Sequence, residues 1–263
     1  MIRQLNKLAR TAPLLRQATL LLHRGSEYVC PFCNYHSRDL FALGHNLDQS
    51  KLPDIIGGGK RRAGCYNCGS DDRERLVYMY LKSEMRLFDR GRRTRILHLA
   101  PEKQLSQKLL DFGFEEYICG DLFTLGYRYP AHVRNISVLS IPFSNNYFDL
   151  VICNHVLEHV PDDRKAMGEL CRVLHEDGEA ILQVPIAKAL ASTFEDSSIT
   201  DPRRRELAFG QSDHVRVYGQ DYTDRLTDCG FSMRRINIVR EYPECGLNRD
   251  EDLFIGRKKH KIG

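Results

Sequence analysis

Residues 148–160 read FDLVICNHVLEHV, and the interpretation of the whole chain starts from this stretch. Residues 150–153 form a short apolar run rich in β-branched side chains, which predicts a buried strand. Asn154 and His155 are polar and follow where that strand should end. In an open α/β sheet, ligands bind beyond the carboxyl ends of the strands. Asn154 and His155 are therefore expected on the ligand side of the sheet.

Outward from this stretch, the hydrophobic pattern alternates between strands and helices. A helix is predicted from Val156 to the Asp177-Gly178 turn, followed by a strand over 180–184. Other strands are predicted over 95–100, 114–119 and 135–139, and a final antiparallel hairpin over 231–239 and 253–257. Such alternation is typical of a parallel sheet with right-handed crossovers. The predicted fold class is therefore α/β, with a Rossmann-like sheet preceded by a small module.

Length and composition agree with this class. The chain has 263 residues, is 42% hydrophobic and carries a net charge of +4. That length is enough for one full α/β domain and a small addition. No run approaches the roughly 18 apolar residues of a membrane span. The N-terminus lacks the pattern of a signal peptide, so a cytoplasmic location is expected.

Four of the nine cysteines form two CxxC pairs, Cys30-Pro-Phe-Cys33 and Cys65-Tyr-Asn-Cys68. In a reducing compartment, paired CxxC turns indicate a metal before a disulfide. Each turn can direct two thiolates at one tetrahedral Zn²⁺, and the insert between the turns only has to loop back. Four thiolates leave no open coordination position, so the predicted zinc is structural. The alternative is a coincidental pair of cysteine clusters.

Three segments are predicted along the chain. Residues 1–27 form a basic amphipathic helical lead-in, which docks on its own domain or a partner subunit, or makes peripheral contact with an anionic membrane. Residues 28–90 form a zinc-ribbon-like module with a linker helix over 71–89, and residues 91–263 form the main domain. Within the module, residues 57–62 (GGGKRR) lack the spacing of a phosphate-binding loop, so a mobile basic loop is expected.

The most specific stretch of the main domain is IPFSNNYFDLVICNHVLEHVPDDRKAMGELCRVLHEDGEAILQVP, residues 141–185. It resembles the class I S-adenosylmethionine-dependent methyltransferases, in the small-molecule branch that includes quinone and sterol methyltransferases. The resemblance covers roughly residues 92–257. The preceding CPFC…CYNCGS pattern, followed by DRERL, resembles a bacterial subfamily with a zinc-ribbon-like lead-in. The resemblance implies a seven-stranded methyltransferase sheet and S-adenosyl-L-methionine as cofactor.

The resemblance also implies roles for individual residues. Asp121, at the end of the second strand, would bind both ribose hydroxyls through charge-assisted hydrogen bonds; the alternative is a helix cap. Ser137 stands near the adenine, where many relatives have Asp. Asn154 and His155 would line the site near the methionine part and the transferred methyl group, with His155 as a catalytic candidate. The Glu158-His159 pair is expected to support structure rather than to touch substrate.

The first strand–helix turn departs from the family pattern. Relatives usually have an acid followed by GxGxG, whereas this chain has His98-Leu-Ala-Pro-Glu-Lys-Gln104. The glycines let the cofactor pack against bare backbone. Ala100 is small enough to substitute, and Pro101-Glu102 could offer a carboxylate to the cofactor's ammonium group. The alternative is a degenerate pocket that no longer binds cofactor.

Residues 186–220 are polar and irregular and follow the carboxyl end of a strand, so they are expected to cover the pocket as a lid. His214 is the best general-base candidate for removing a proton from a substrate hydroxyl. Asp213 would orient His214, and Arg216 could hold an anionic substrate group. The alternative is a buried, salt-bridged histidine within the lid.

The resulting prediction is O-methylation of a small-molecule or glycan-type acceptor. One rival is an RNA methyltransferase that uses the zinc module and the 57–62 loop to hold RNA. A nucleic-acid partner is not expected, because the charge is low and no NPPY-like base-flipping motif is present. A second rival is a non-catalytic scaffold, indicated by the glycine-poor first turn.

Overall fold

The structure is a computed structural model that describes residues 12–44 and 54–259. The front part begins with helix α1 (Pro13–Leu22), which has a proline at its first position. Five short strands follow: β1 (Arg24–Val29), β2 (His36–Ser37), β3 (Phe41–Leu43), β4 (Ile55–Ile56) and β5 (Arg61–Gly64). β1 pairs with β2, and β3 pairs with β5, both antiparallel. The 28–90 segment therefore builds small ribbons around its two cysteine turns.

A helical segment links the front part to the main sheet. It consists of α2 (Asp72–Met79), a π-helical turn (Tyr80–Glu84) and a short 3₁₀ turn (Leu87–Asp89). Asp71 and Glu74 form a capping box at its start. This box satisfies two backbone N–H groups that would otherwise lack partners. The helix predicted over 71–89 is broken near its end because Arg86 has a φ of 51°.

The main domain is a mostly parallel sheet, which confirms the predicted fold class. In chain order its elements are β6 (Arg95–Leu99), α3 (Lys103–Phe112), β7 (Glu116–Asp121), β8 (Val133–Asn135), β9 (Phe148–Asn154), α4 (Asp163–Val173) and β10 (Leu174–Gln183), then α6 (Tyr222–Asp228), β14 (Phe231–Ile236) and β15 (Leu253–Lys258). Within the described residues the sheet has seven strands, ordered β14-β15-β10-β9-β6-β7-β8. Within this sheet, β15 alone runs in the direction opposite to the other six strands.

Three boundaries differ from the predictions. After β9 the chain first makes a 3₁₀ turn (Leu157–His159), and α4 begins only after Asp162, whose side chain accepts from the Lys165 backbone N–H. β10 begins at Leu174 rather than after the Asp177-Gly178 turn. These two residues lie within the strand, where the pairing register between β10 and β9 is irregular. The third strand lies at 133–135 rather than 135–139.

The insert between β10 and α6 is more regular than the predicted lid. It contains β11 (Ile186–Ala187), β12 (Phe194–Glu195), α5 (Pro202–Phe209) and β13 (Arg216–Val217). β12 pairs with β13, and β11 pairs with β4 of the front part. The insert is therefore fastened to both the main domain and the front module.

The core covers both faces of the sheet, and β9 shows how. Alternate residues of a strand point to opposite faces. Val151 and Cys153 belong to the cluster that includes α4, whereas Leu150 and Ile152 belong to the cluster that includes α2 and α3. The front module thus packs against the same face of the sheet as α3.

A buried arginine fixes the front module to the chain's last part. Arg75 is fully buried and donates to the backbone carbonyls of Ser70, Ala63, Cys245 and Gly246. Its donors are satisfied by carbonyls from three separate segments. These bonds hold the second cysteine turn in place.

The predicted lead-in lies partly outside the described residues, since residues 1–11 are not among them. In α1, the four side chains Leu14, Leu15, Leu21 and Leu22 are exposed. The helix touches the module where Tyr35 donates to the carbonyl of Leu20 at 2.5 Å. Among the described residues, no helix is both long enough and apolar enough to cross a bilayer.

Candidate functional site

The ends of β6 and β9 are joined by the carboxylate of Glu102. Its Oε1 accepts from Asn154 Nδ2 at 2.9 Å, and its Oε2 lies 2.7 Å from His98 Nε2. His98 is fully buried, and its Nδ1 lies 2.8 Å from the Tyr117 hydroxyl. Asn154 Oδ1 is buried and has no hydrogen-bond partner in the described part of the chain. Glu102 and Asn154 therefore meet at the ends of the two strands.

Two residues at these strand ends have left-handed backbone conformations. Ala100 has a φ of 47° and His155 a φ of 54°. Each is held by a strong backbone bond, from Ala100 N to Gly120 O at 2.8 Å and from His155 N to Gln183 O at 2.7 Å. Glycine favours this region, and other residues in it are strained. Ala100 thus adopts the conformation that a glycine in the family's first motif could supply.

Asp121 and Ser137 lie further along the same edge. Asp121 ends β7, and burial raises the pKa of its carboxyl. Its backbone carbonyl accepts from Ile136 N at 2.9 Å. Ser137 stands in a turn after β8, where its Oγ accepts from Leu139 N at 3.2 Å. The predicted cofactor residues therefore follow four strand ends, those of β6, β7, β8 and β9.

A cavity of about 360 Å³ opens beside His155, away from Asp121. Its walls come from three parts of the chain: the front module, the turn after β9 and the insert after β10. They comprise Leu43, Gly44, Ile55, Gly57, Gly58, Gly59, Arg61, Asp71 and Arg73; His155, Glu158, His159 and Pro185; and Phe209, Gly210, Gln211, His214, Arg216 and Val217. The sequence did not indicate that the front module would contribute to this site.

The basic segment over 57–62, predicted as a mobile loop, lies partly in a strand. Arg61 begins β5, and its guanidinium pairs with the Asp72 carboxylate at 2.5 Å. Gly57 has a φ of 75°, and a Cβ there would lie 3.4 Å from the His155 ring. The glycines let the module's backbone approach the end of β9 closely, which makes this segment a wall of the cavity.

The partly buried His155 and the buried Glu158 lie side by side on the cavity wall. Glu158 Oε1 lies 3.3 Å from His155 Nδ1, but this contact is not a well-formed hydrogen bond. Burial, followed by the charges of Arg73 and Arg61, lowers the pKa of His155 well below its usual value. Burial also raises the pKa of Glu158 to about 8. His155 is therefore a neutral imidazole near pH 7.

His214 faces the same cavity, but Asp213 does not orient it. The His214 Nδ1 lies 3.2 Å from the Phe209 carbonyl, and burial and nearby His159 lower its pKa to about 4. Asp213 is 67% exposed at its side chain and instead contacts His159 Nδ1 at 3.3 Å. The predicted role of Asp213 is corrected accordingly: a backbone carbonyl positions His214.

Arg216 is not free to hold an anionic substrate group. Its guanidinium donates to the carbonyls of Leu157 at 2.9 Å and Pro161 at 2.8 Å, and it also bonds that of Val160. It pairs with Glu195 at 2.9 Å, and its side chain is only 3% exposed. These bonds consume its donors, so the arginine stabilises the turn after β9.

Glu158 and His159 line the cavity rather than serving only as support. His159 stacks edge-on against His214, with ring centroids 4.6 Å apart. Because the chain turns in a 3₁₀ helix directly after His155, both residues stay at the strand end. The repeated polar residues of NHVLEH could have indicated that Glu158 and His159 line the site. They were not interpreted in this way because a continuous helix was predicted there.

The two cysteine turns have the same backbone geometry. Asn34 N donates to Cys30 O at 2.8 Å, as Gly69 N donates to Cys65 O at 2.9 Å. Asn34 and Gly69, each directly after its CxxC pair, both have positive φ. The four thiols Cys30, Cys33, Cys65 and Cys68 lie within 4.8 Å of one another. Two matched turns thus present two thiols each to a common centre.

The thiol spacing fits a tetrahedral metal. The Cys30–Cys68 and Cys33–Cys65 sulfurs are 3.6 Å and 3.7 Å apart. A Zn–S distance of 2.3 Å in a regular tetrahedron gives about 3.8 Å between sulfurs. Hydrogen bonds from the other thiols lower the pKa of Cys30, so one thiolate is already favoured. The donor set fits Zn²⁺, and Cys30, Cys33, Cys65 and Cys68 are the residues that would hold it.

Comparison with known families finds a match in the main domain. Residues 103–182 match the family described as a methyltransferase domain. An uncharacterized protein of Methanocaldococcus jannaschii is 46% identical over 59 residues, which is 22% of this chain and 26% of that protein. The uncharacterized methyltransferase YcgJ of Bacillus subtilis is 42% identical over 43 residues, 16% of this chain and 17% of that protein. The chain thus matches about a quarter or less of the length of these relatives.

Two solved structures are among those similar to this chain. The crystal structure of YcgJ from Bacillus subtilis has a TM-score of 0.42 and 18% identity, covering 61% of this chain and 71% of that one. The CurJ carbon methyltransferase has a TM-score of 0.48 and 15% identity, covering 72% and 55%.

Proposed function

We propose that this chain, which contains a domain of the methyltransferase family, is an S-adenosylmethionine-dependent methyltransferase that acts on a hydroxyl of a small-molecule or glycan-type acceptor. The family match supports the reaction class. The observation that carries the acceptor side is the cavity at the end of β9, whose wall holds the buried His214 and the partly buried His155. Its volume lies within the range of small-molecule sites, roughly 300–1,000 Å³.

The strand-end residues fit the cofactor. Asp121 would hold the ribose hydroxyls, and Ser137 would stand near the adenine. Ala100 and Pro101 would let the cofactor approach the backbone, and Glu102, Asn154 and His155 would line its methionine end. The fit rests on the left-handed backbone at Ala100 and on the unpartnered Asn154 Oδ1, which is free to accept a hydrogen bond. When bound, S-adenosyl-L-methionine supplies an activated methyl group.

The chain's own residues align the acceptor and receive its proton. In a displacement at the methyl carbon, the acceptor oxygen forms the new bond and the hydroxyl proton must leave. His155 and His214 both carry low pKa values, so each has a nitrogen lone pair at pH 7. His214 Nε2 has no hydrogen-bond partner among the described residues. Either imidazole can accept the proton, and residues of the insert line the cavity beside them.

The proposed metal, membrane contact and location concern the front part of the chain. The Cys30, Cys33, Cys65 and Cys68 cluster would hold a structural Zn²⁺ that maintains the module forming one cavity wall. The exposed leucines of α1 support peripheral contact with a membrane surface. Two CxxC turns that hold a metal suit a reducing, cytoplasmic setting.

Calorimetric titration of the purified protein with S-adenosylmethionine and S-adenosylhomocysteine tests the cofactor claim. Binding is expected for the wild type and is expected to be lost in Asp121→Ala, because two charge-assisted hydrogen bonds disappear. Asp111→Ala, at an exposed position of α3, serves as the control and should bind normally. If the wild type binds neither ligand, the catalytic proposal fails and the scaffold reading takes its place.

His214→Ala tests the acceptor side once an acceptor is found. Turnover is expected to fall by a factor of about 100 or more, with cofactor affinity little changed. Equal turnover in wild type and variant would remove the role given to His214.

A further inference from the structure

We propose that Glu158, His159 and His214 bind a divalent transition-metal ion in the wall of the acceptor cavity, at a site separate from the cysteine cluster. Each residue offers one ligand atom, and these atoms lie within 4.8 Å of one another. Two imidazoles and one carboxylate, with the remaining positions open, form a known donor set for divalent iron and related ions. The site joins the turn after β9 to the insert after β10.

Unsatisfied polar atoms point to a missing ligand here. Glu158 is only 2% exposed and His214 only 5% exposed. Glu158 Oε2 and His214 Nε2 are both buried and lack hydrogen-bond partners in the described part of the chain. A buried polar atom that lacks a hydrogen-bond partner destabilises the folded state. One cation between these two atoms would satisfy both.

The outer contacts of the histidines are those of metal ligands. A ligating imidazole usually gives its second nitrogen to a carbonyl or a carboxylate, which fixes its tautomer and orientation. His214 Nδ1 faces the Phe209 carbonyl at 3.2 Å, so Nε2 keeps its lone pair. His159 Nδ1 faces the Asp213 carboxylate at 3.3 Å. The contact with His159 also gives the exposed Asp213 a role, which is to orient that imidazole.

The cavity leaves space for the site to close around an ion. Metal–ligand distances near 2.1 Å place neighbouring donor atoms roughly 3–3.5 Å apart. The three ligand atoms therefore have to approach each other by side-chain rotation. Open coordination positions would face the cavity, so a bound ion can contact an acceptor oxygen. This role, unlike the binding itself, rests on the proposed function, and in it His155 rather than His214 receives the acceptor's proton.

Binding of Co²⁺ to the zinc-loaded full chain tests the site without any assay of activity. Calorimetry is expected to show one equivalent of Co²⁺ beyond the zinc already bound. The visible spectrum should carry the weak bands of nitrogen and oxygen ligation, without the intense thiolate charge-transfer bands of a cysteine site. His214→Ala and Glu158→Gln should each weaken binding by at least about 100-fold. Asp213→Asn should weaken it by about tenfold.

His132→Ala is the matched control, because that histidine is exposed and lies outside the cavity. It should bind Co²⁺ as the wild type does. Binding of S-adenosylmethionine by each variant reports that it is folded, and separates failure of the metal site from failure of the proposed function. The inference is overturned if the wild type binds no additional Co²⁺, if the bands are those of thiolate ligation, or if His214→Ala and Glu158→Gln bind normally.

Discussion

Glu74 of the front module accepts a hydrogen bond at 2.7 Å from the backbone N–H of Gln104, in the first turn of α3. The residue before α3, Glu102, makes no side-chain cap, so a carboxylate from another part of the chain caps this helix. The same carboxylate group also approaches Leu105 N, at 3.4 Å. A negative charge is favourable at a helix N-terminus. The module is thereby attached to the helix that follows the first strand of the sheet.

The stability of the protein should depend on the ionisation of Glu74. Burial raises its pKa from 4.5 to about 7. Between these pH values the folded state holds a proton that the unfolded state has lost, so stability falls as pH rises. The contribution is complete below about pH 4.5 and lost above about pH 7. Over that interval the free energy of unfolding should fall by up to about 3 kcal/mol relative to Glu74→Gln.

Urea unfolding of both proteins at several pH values between 4 and 8 measures this difference. The curve for Glu74→Gln should lack the fall, because glutamine does not titrate. Parallel pH dependence in the two proteins would show that folding does not raise the pKa of Glu74.

Cys65→Ser should release the metal from the front module. Removing one of four ligands weakens the site, and the matched turns depend on it for their arrangement. Elemental analysis should find one fewer zinc per chain than in the wild type, and limited proteolysis should cut the module. Cys171→Ser, outside the cluster, is the control and should retain its zinc. Unchanged zinc in Cys65→Ser would refute the assignment.

Ala100→Gly should relieve backbone strain. An alanine in the left-handed region costs about 1–2 kcal/mol, and replacement by glycine removes this cost. Part of the resulting gain in stability is offset because the unfolded chain has more conformational freedom with glycine. The free energy of unfolding should rise by about 0.5–1 kcal/mol. Ala208→Gly, within α5, should instead lower it by about 1 kcal/mol. Denaturant titration compares the two, and destabilisation of Ala100→Gly by as much as the helical control would argue against strain at this turn.

Arg216→Ala should destabilise the protein rather than weaken acceptor binding alone. The change removes the arginine donor of the Val160 and Pro161 carbonyls and breaks the buried contact with Asp163, which typically costs about 3–5 kcal/mol. Thermal unfolding should shift strongly downward. Arg204→Ala, exposed on α5, should change the free energy of unfolding by less than about 0.5 kcal/mol. An unchanged melting temperature with a raised KM would restore the substrate-binding role predicted for Arg216.

Hydrophobic periodicity predicted the sheet well but its irregular connections poorly. Buried strands such as 150–153 have a clear pattern because both faces of a parallel sheet are covered. The helix after β9 was predicted to begin too early, because apolar spacing alone does not reveal that Asp162 begins α4 after a 3₁₀ turn.

Side-chain partners could be predicted only where local sequence decides them. The cysteine turns are local, and their four thiols meet in the structure. The partner of His214 was not predictable, because the choice between Asp213 and the Phe209 carbonyl depends on how the insert folds. Likewise, nothing in GGGKRR signals that its glycines approach His155, because that contact is made only in the folded chain.

Because the cavity wall comes from three parts of the chain, the shape of the cavity can change without any change in the residues proposed to bind the cofactor. Substitutions within 55–61 can reshape the acceptor cavity while the strand ends at 98–102 and 121 keep their sequence. Under the proposed function, acceptor preference can therefore diverge through substitutions in this wall segment alone. Exchange of the whole front module would instead remove the Glu74 carboxylate from the first turn of α3, so residues 55–61 are the natural segment for an engineer to randomise when a new acceptor is wanted.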